Sequence, residues 1–257
     1  MTSDPLVPAV PGTPAEAARH RGSIWRELPI LLLIAMVLAL VLKTFLVQAF
    51  YIPSGSMEQT LQVGDRVLVS KLSYRFGEPQ RGDVVVFNGV DSWESEVQLA
   101  PDSNPLSRGA RWLAGTFGFA TPNEKDFIKR VVGVPGDNVV CCDPQGRLVV
   151  NGVALDEPYL YPGDVPSQQE FDITVPDGRL WVMGDHRSSS SDSRFHTGDP
   201  GGGTIAVDKV IGRAFAVVWP VSDAGWLARP DVYDDPALDA SAPPRPIPAA
   251  PPARVAR

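Results

Sequence analysis

The chain has 257 residues, 44% of them hydrophobic, which is enough for one sizeable core or two small ones plus tails. A net charge of -7 and an isoelectric point near 5.0 leave no Lys/Arg-rich stripe to neutralise phosphates, so no nucleic-acid partner is expected. The two cysteines, Cys141 and Cys142, are adjacent and can build neither a disulfide framework nor a metal cage; with His20, His186 and His196 scattered, no metal or other cofactor is expected. The cysteine pair reads as two semi-buried thiols at a strand end rather than a vicinal disulfide, whose geometry would be strained.

In chain order, residues 1–27 are expected to be a disordered N-terminus, rich in Pro and Ala through residue 18. From Leu28 to Leu42 the chain is uncharged and apolar, and after Lys43 the apolar character resumes to Ile52. This predicts one transmembrane anchor over 28–50, with Lys43 snorkelling near an interface. No A-x-A cleavage site follows the run, so it reads as uncleaved. Arg19, Arg21 and Arg26 precede it, which places the N-terminus in the cytoplasm and everything after the anchor outside.

Residues 51–220 read as an extracytoplasmic, mainly β domain. Strand-length β-branched runs recur at 65–70, 83–88, 127–134 and 138–141, then as RLVV before an Asn151-Gly152 hairpin turn, and at 171–175, 179–183 and 210–219. Gly and Pro punctuate them without regular alternation of long helices, which argues for antiparallel sheets and against a doubly wound fold. Between about 89 and 126 the pattern lapses into a polar insertion carrying one apolar patch of Leu106, Trp112, Leu113, Phe117 and Phe119, read as a local mini-core. Residues 221–257 read as a disordered Pro/Ala-rich tail.

Two segments carry candidate chemistry. Ser54-Gly55-Ser56 lies a few residues beyond the apolar run, so a hydroxyl here stays close to a bilayer surface and suits a substrate that is itself membrane-embedded. In FIKRVV, period-two alternation puts Phe127, Lys129 and Val131 on one face and Ile128, Arg130 and Val132 on the other, so one of the two basic residues is expected to point inward. An inward arginine stays charged, whereas desolvation lets a lysine lose its proton and act as a base. The histidines fit that role less well, His20 lying on the cytoplasmic side and His186 and His196 in a Ser-rich polar loop.

The ordered segments SGSMEQTL, GDRVLVSK, RGDVVVF, FIKRVVGVPGD and GDHRSSSSDSR, spanning roughly Phe50 to Pro220, resemble the boxes of bacterial type I signal peptidases, Ser/Lys proteases. The resemblance implies an antiparallel β-sheet catalytic fold with an inserted subdomain behind a single N-terminal transmembrane helix. It implies Ser56 as nucleophile, Lys129 as general base, and Ser54 as an oxyanion donor beside the Ser56 N–H. Ser190 matches the serine that bonds the base lysine, counted back from Asp192 through a run of four serines, and Asp192 and Arg194 match a bracing pair. Ile52, Pro53, Met57, Leu61 and Ile128 are expected to line shallow pockets for small side chains before the scissile bond.

The same resemblance implies signal peptides of exported preproteins and the lipid bilayer as partners, and a single-pass location in the plasma membrane. Some positions depart from the pattern. Gln59 stands where the family usually has proline, which is expected to loosen the turn after Met57, and His186, Ser188 and Ser189 replace Asn, Asp and Asn. Two rival readings are an inactive anchored β-domain that binds exported proteins, and a self-cleaving repressor of related Ser/Lys architecture. The second would carry a DNA-binding head and no anchor.

Overall fold

The computed structural model describes residues 24–93 and 126–239. The chain separates into two units, Met1–Lys43 and Thr44–Arg257. The first holds most of α1 (Ile24–Phe45), whose large apolar side chains from Leu28 to Leu38 are each more than half exposed. Among the described residues no helix is long and apolar enough to cross a membrane. The expected span over 28–50 also overruns the helix: Val47–Tyr51 forms strand β1 instead, with Phe50 buried and Tyr51 exposed. Its backbone groups pair with the next strand from Val47↔Ser70 to Tyr51↔Arg66, so these five residues belong to the sheet.

The second unit is mainly antiparallel β, as expected. Its further strands are β2 (Arg66–Ser70), β3 (Val84–Asn88), β4 (Asp126–Gly133), β5 (Asn138–Cys141), β6 (Leu148–Val150), β7 (Val153–Leu155), β8 (Phe171–Thr174), β9 (Arg179–Met183), β10 (Ile205–Ala206), β11 (Val210–Trp219) and β12 (Gly225–Trp226). One sheet runs β1-β2-β11-β3-β4-β9-β10 with β12 against β11; a smaller one runs β7-β6-β5-β8. Asn151 and Gly152 both take positive φ, 53° and 85°, as the two-residue hairpin between β6 and β7 requires. β4 is an interior strand, buried from Lys129 through Gly133, so alternation does not send either basic side chain to solvent. Lys129 and Arg130 are both buried, at 4% and 2% exposure, where the sequence reading allowed one.

Two further expectations change. Cys141 and Cys142 are joined in a disulfide across a cis peptide bond, both packed against the core beneath the small sheet, rather than standing as free thiols. Within the stretch expected to be a disordered tail, residues 221–239 fold: β12 and two 3-10 turns, Asp231–Asp234 and Pro236–Asp239, bury Tyr233 and Leu238 in that same core. Asn151 Nδ2 donates to the Leu238 carbonyl at 2.6 Å, so the hairpin turn also ties this strap down. The strap follows from sparse apolar residues between prolines, which a compositional reading averages away. The apolar patch of the insertion lies outside the described residues, but its near edge, Trp93, is buried against Phe87 and Phe127 and donates to Gly203 O at 3.0 Å.

Candidate active site

Ser56 sits in a 3-10 turn, Gly55–Met57, that follows β1. Met57 and Leu61 are fully buried with Ile52, Phe50, Val67 and Val69, and this apolar cluster pins the turn on both sides. The Met57 carbonyl accepts from the N–H groups of Thr60 and Leu61, closing the turn. At Gln59 the backbone takes φ 84°, a left-handed conformation that proline cannot adopt. Proline therefore does not fit the backbone conformation that this turn takes.

Lys129 is carried on β4, opposite Val85 of β3. Its Nζ lies 2.6 Å from Ser56 Oγ, donating to it, and both residues are about 95% buried. A charge-capable nitrogen and a hydroxyl in hydrogen-bond contact, shielded from water, are what activation of a serine requires.

The loop after β9 packs against the Ser56 turn, His186 N–H donating to the Ser56 carbonyl at 3.2 Å. A Cβ placed on Gly184 would collide with both Ser190 Oγ and the Ser56 carbonyl oxygen, so the glycine is what lets Ser190 approach the nucleophile turn. Ser190 Oγ donates to Asp192 Oδ2 at 2.8 Å, while Ser191 instead contacts His196 Nε2 at 3.2 Å. Ser190 Oγ and the Ser56 carbonyl oxygen thus both lie against Gly184. Asp192 also accepts from Gly184 N at 2.9 Å and from Arg194 Nε at 2.8 Å, and neither side chain of the Asp192–Arg194 pair has any exposure. Burial works to raise the Asp192 carboxyl, but hydrogen bonds and charge from Arg194, the Gly184 N–H and the charge of Lys129 hold it below the usual carboxylate range.

On the other side of β4, Arg130 makes a bidentate pair with Asp185, Nε to Oδ1 at 2.8 Å and Nη2 to Oδ2 at 2.6 Å. Arg130 also donates to the Gly82 carbonyl at 2.8 Å and stacks over the Tyr159 ring at 4.2 Å. Thr60, from the nucleophile turn, donates to Asp185 as well, at 2.5 Å. The sequence reading missed Asp185, Gly184, Thr60 and Tyr159. Their signal was present only in Gly184-Asp185 opening the polar loop.

A Ser-His-Asp chain does occur, Ser191 to His196 Nε2 with His196 Nδ1 2.6 Å from Asp199 Oδ2, but it is built from near neighbours of one loop and stacks on Trp93. The group at Ser56 Oγ is Lys129. Of the expected pocket residues, Ile52, Met57 and Leu61 are core residues with at most 1% exposure, because they anchor the turn. Pro53 is exposed and Ile128 half-buried at the cluster's edge. Ser54 is exposed and extended, with φ -128° and ψ 155°, directly before the turn, and its side chain caps nothing.

The family model for signal peptidase, peptidase S26, matches residues 25–219, most of the chain and all of this site. The chain belongs to the signal peptidase family. Among similar proteins, the probable signal peptidase I of Mycobacterium leprae (strain TN) is 42% identical over 245 residues, covering 83% of this chain and 84% of that one. The signal peptidase I of Mycobacterium tuberculosis (strain ATCC 25618 / H37Rv) is 45% identical over 224 residues, covering 80% and 76%. A crystal structure of a signal peptidase I from Enterococcus faecalis V583 aligns at 25% identity over 53% of this chain and 97% of that one, with a TM-score of 0.33. As a signal peptidase the chain is a serine endopeptidase. The segments SGSMEQTL, GDRVLVSK, RGDVVVF, FIKRVVGVPGD and GDHRSSSSDSR fall on the turn after β1, on β2, β3 and β4, and on the loop after β9, so the fold gathers them along one sheet.

Proposed function

We propose that this chain removes N-terminal signal peptides from exported preproteins, with Ser56 as nucleophile and Lys129 as general base. The observation that carries the reading is the 2.6 Å contact between Lys129 Nζ and Ser56 Oγ, both buried, in a member of the signal peptidase family.

Neutral Lys129 takes the Ser56 proton as Oγ attacks the scissile carbonyl carbon. The oxyanion that forms is met by the Ser56 N–H and the Ser54 hydroxyl. The Lys129 ammonium then returns its proton to the leaving amine nitrogen, the C–N bond breaks, and the mature protein departs. The signal peptide is left as an ester on Ser56. Lys129 next deprotonates water, whose oxygen attacks the ester, and the proton returns to Ser56 Oγ as the ester bond breaks. Ser190, Asp192 and Arg194 hold the loop over Lys129. Pro53 and Ile128 keep accessible surface for small substrate side chains beside the nucleophile.

The reading includes a single-pass anchor in the plasma membrane, the N-terminus in the cytoplasm and the catalytic unit outside. The uncharged run from Leu28 to Leu42, the preceding Arg19, Arg21 and Arg26, and the exposed apolar side chains of α1 support it. The test is cleavage of a purified preprotein in detergent, with the product's N-terminus sequenced. Cutting is expected after the small residue that ends the signal peptide, and replacing that residue by a bulky one is expected to stop it. Cleavage indifferent to that replacement contradicts the reading.

A further inference from the structure

His186 grips the nucleophile from both sides. Its backbone N–H donates to the Ser56 carbonyl at 3.2 Å, and its ring Nδ1 lies 3.2 Å from the Gly55 carbonyl oxygen and 2.9 Å from Glu58 Oε2. Both neighbours of Nδ1 are acceptors, so Nδ1 carries the hydrogen and donates. The ring is held in place by Tyr161, stacked at 3.9 Å with an interplanar angle of 13°. Glu58 folds back over Gly55, its carboxylate 2.9 Å from where a Cβ on that glycine would sit, and its own N–H donates to the Gly55 carbonyl at 3.0 Å. Both lone pairs of that carbonyl are thereby engaged.

The Gly55 carbonyl and the Ser56 N–H belong to one peptide plane. The plane is rigid, so whatever fixes the direction of its C=O fixes the opposite direction of its N–H. The residue on its N-terminal side is a glycine, the least constrained backbone, so the plane's tilt depends on such external contacts. Donation to the carbonyl also polarises the amide and strengthens its N–H as a donor. We infer that His186 is a positioning residue: through Nδ1 it orients the Gly55–Ser56 peptide plane so that the Ser56 N–H points at the developing oxyanion. The inference rests on the proposed dyad chemistry, in which that N–H is an oxyanion donor.

The test separates the donor from the ring. His186→Phe keeps a flat ring to stack on Tyr161 but cannot donate; His186→Asn places an amide N–H where Nδ1 stands but loses the stack. Removing an oxyanion donor outright costs about 10²–10³-fold in kcat, so a donor left in place but free to tilt is expected to lose about tenfold. His186→Phe should therefore lower kcat on a preprotein substrate about tenfold at nearly unchanged KM, while His186→Asn loses less than about threefold. The alkaline rise of the pH–rate profile should persist in both, since neither removes the base. A His186→Phe variant with full kcat, or equal losses in both variants, overturns the inference. Its failure is distinguishable from failure of the dyad, since only the latter leaves Ser56→Ala and Lys129→Ala active.

Discussion

Lys129 and Arg130 are consecutive on one strand, equally buried, and face opposite sides of the sheet, yet they meet very different surroundings. On one side Lys129 Nζ reaches the hydroxyl of Ser56 at the edge of an apolar cluster. On the other, Arg130 is clasped by the Asp185 carboxylate, the Gly82 carbonyl and Thr60. Burial alone does not set a cation's role. A guanidinium matched by a bidentate carboxylate remains a permanent ion and fastens the nucleophile turn to β4 through Thr60, whereas an amine facing a hydroxyl can exchange a proton with it.

The largest expected effect comes from making the first side resemble the second. Lys129→Arg keeps a buried cation but cannot give up its proton, so preprotein cleavage should fall by about 10⁴-fold, as for loss of a catalytic base. Residual activity within tenfold of wild type would mean that charge, not proton transfer, is what the position supplies.

Breaking the other side should cost stability first. Arg130→Met leaves Asp185 buried without its partner and is expected to lower unfolding free energy by about 3–5 kcal/mol, whereas adding Asp185→Leu recovers much of it. Denaturant unfolding of both variants reads the difference directly.

Asp192 braces the loop beside the Ser56 turn as Asp185 braces the far side of β4. Its carboxyl is held below the ordinary value of 3.8 in the folded state. Its contribution is therefore fully present above the unfolded value and is lost as pH falls below about 4 through the lower folded value. Asp192→Asn should cost about 2 kcal/mol at neutral pH and should flatten that acid limb, measured as unfolding midpoints across the range.

The smallest effect is expected at Gln59. With φ at 84°, Gln59→Pro forces the turn after Ser56 out of its path and should destabilise the chain by about 1–2 kcal/mol. An unchanged melting temperature would show that the turn readily adopts another route.

These contrasts also mark what the sequence could reveal. Strands were readable wherever β-branched runs met Gly or Pro, as at β5, β9 and β11, whose limits match the expected ones. β1 was not, because Val47–Tyr51 continues an apolar run and only pairing with β2 distinguishes strand from helix. The C-terminal strap was hidden for a related reason: Tyr233 and Leu238 have no periodicity, and their burial depends on a core formed by distant strands. At the site, period-two alternation pointed to one inward basic residue, which holds for a sheet covered on one face. β4 is covered on both, and Asp185, which makes the second burial tolerable, lies 55 residues away in sequence. Ile52, Met57 and Leu61, expected to help line the substrate pockets, are buried in the cluster that anchors the turn.

The central claim is that Ser56 and Lys129 act as one unit. Its most direct test is preprotein cleavage followed across pH for wild type, Ser56→Ala and Lys129→Ala. Wild-type activity should rise toward alkaline pH as the lysine deprotonates, and neither variant should cleave above background at any pH. Full activity in either variant, or a wild-type profile governed by a group titrating near pH 6, would contradict it.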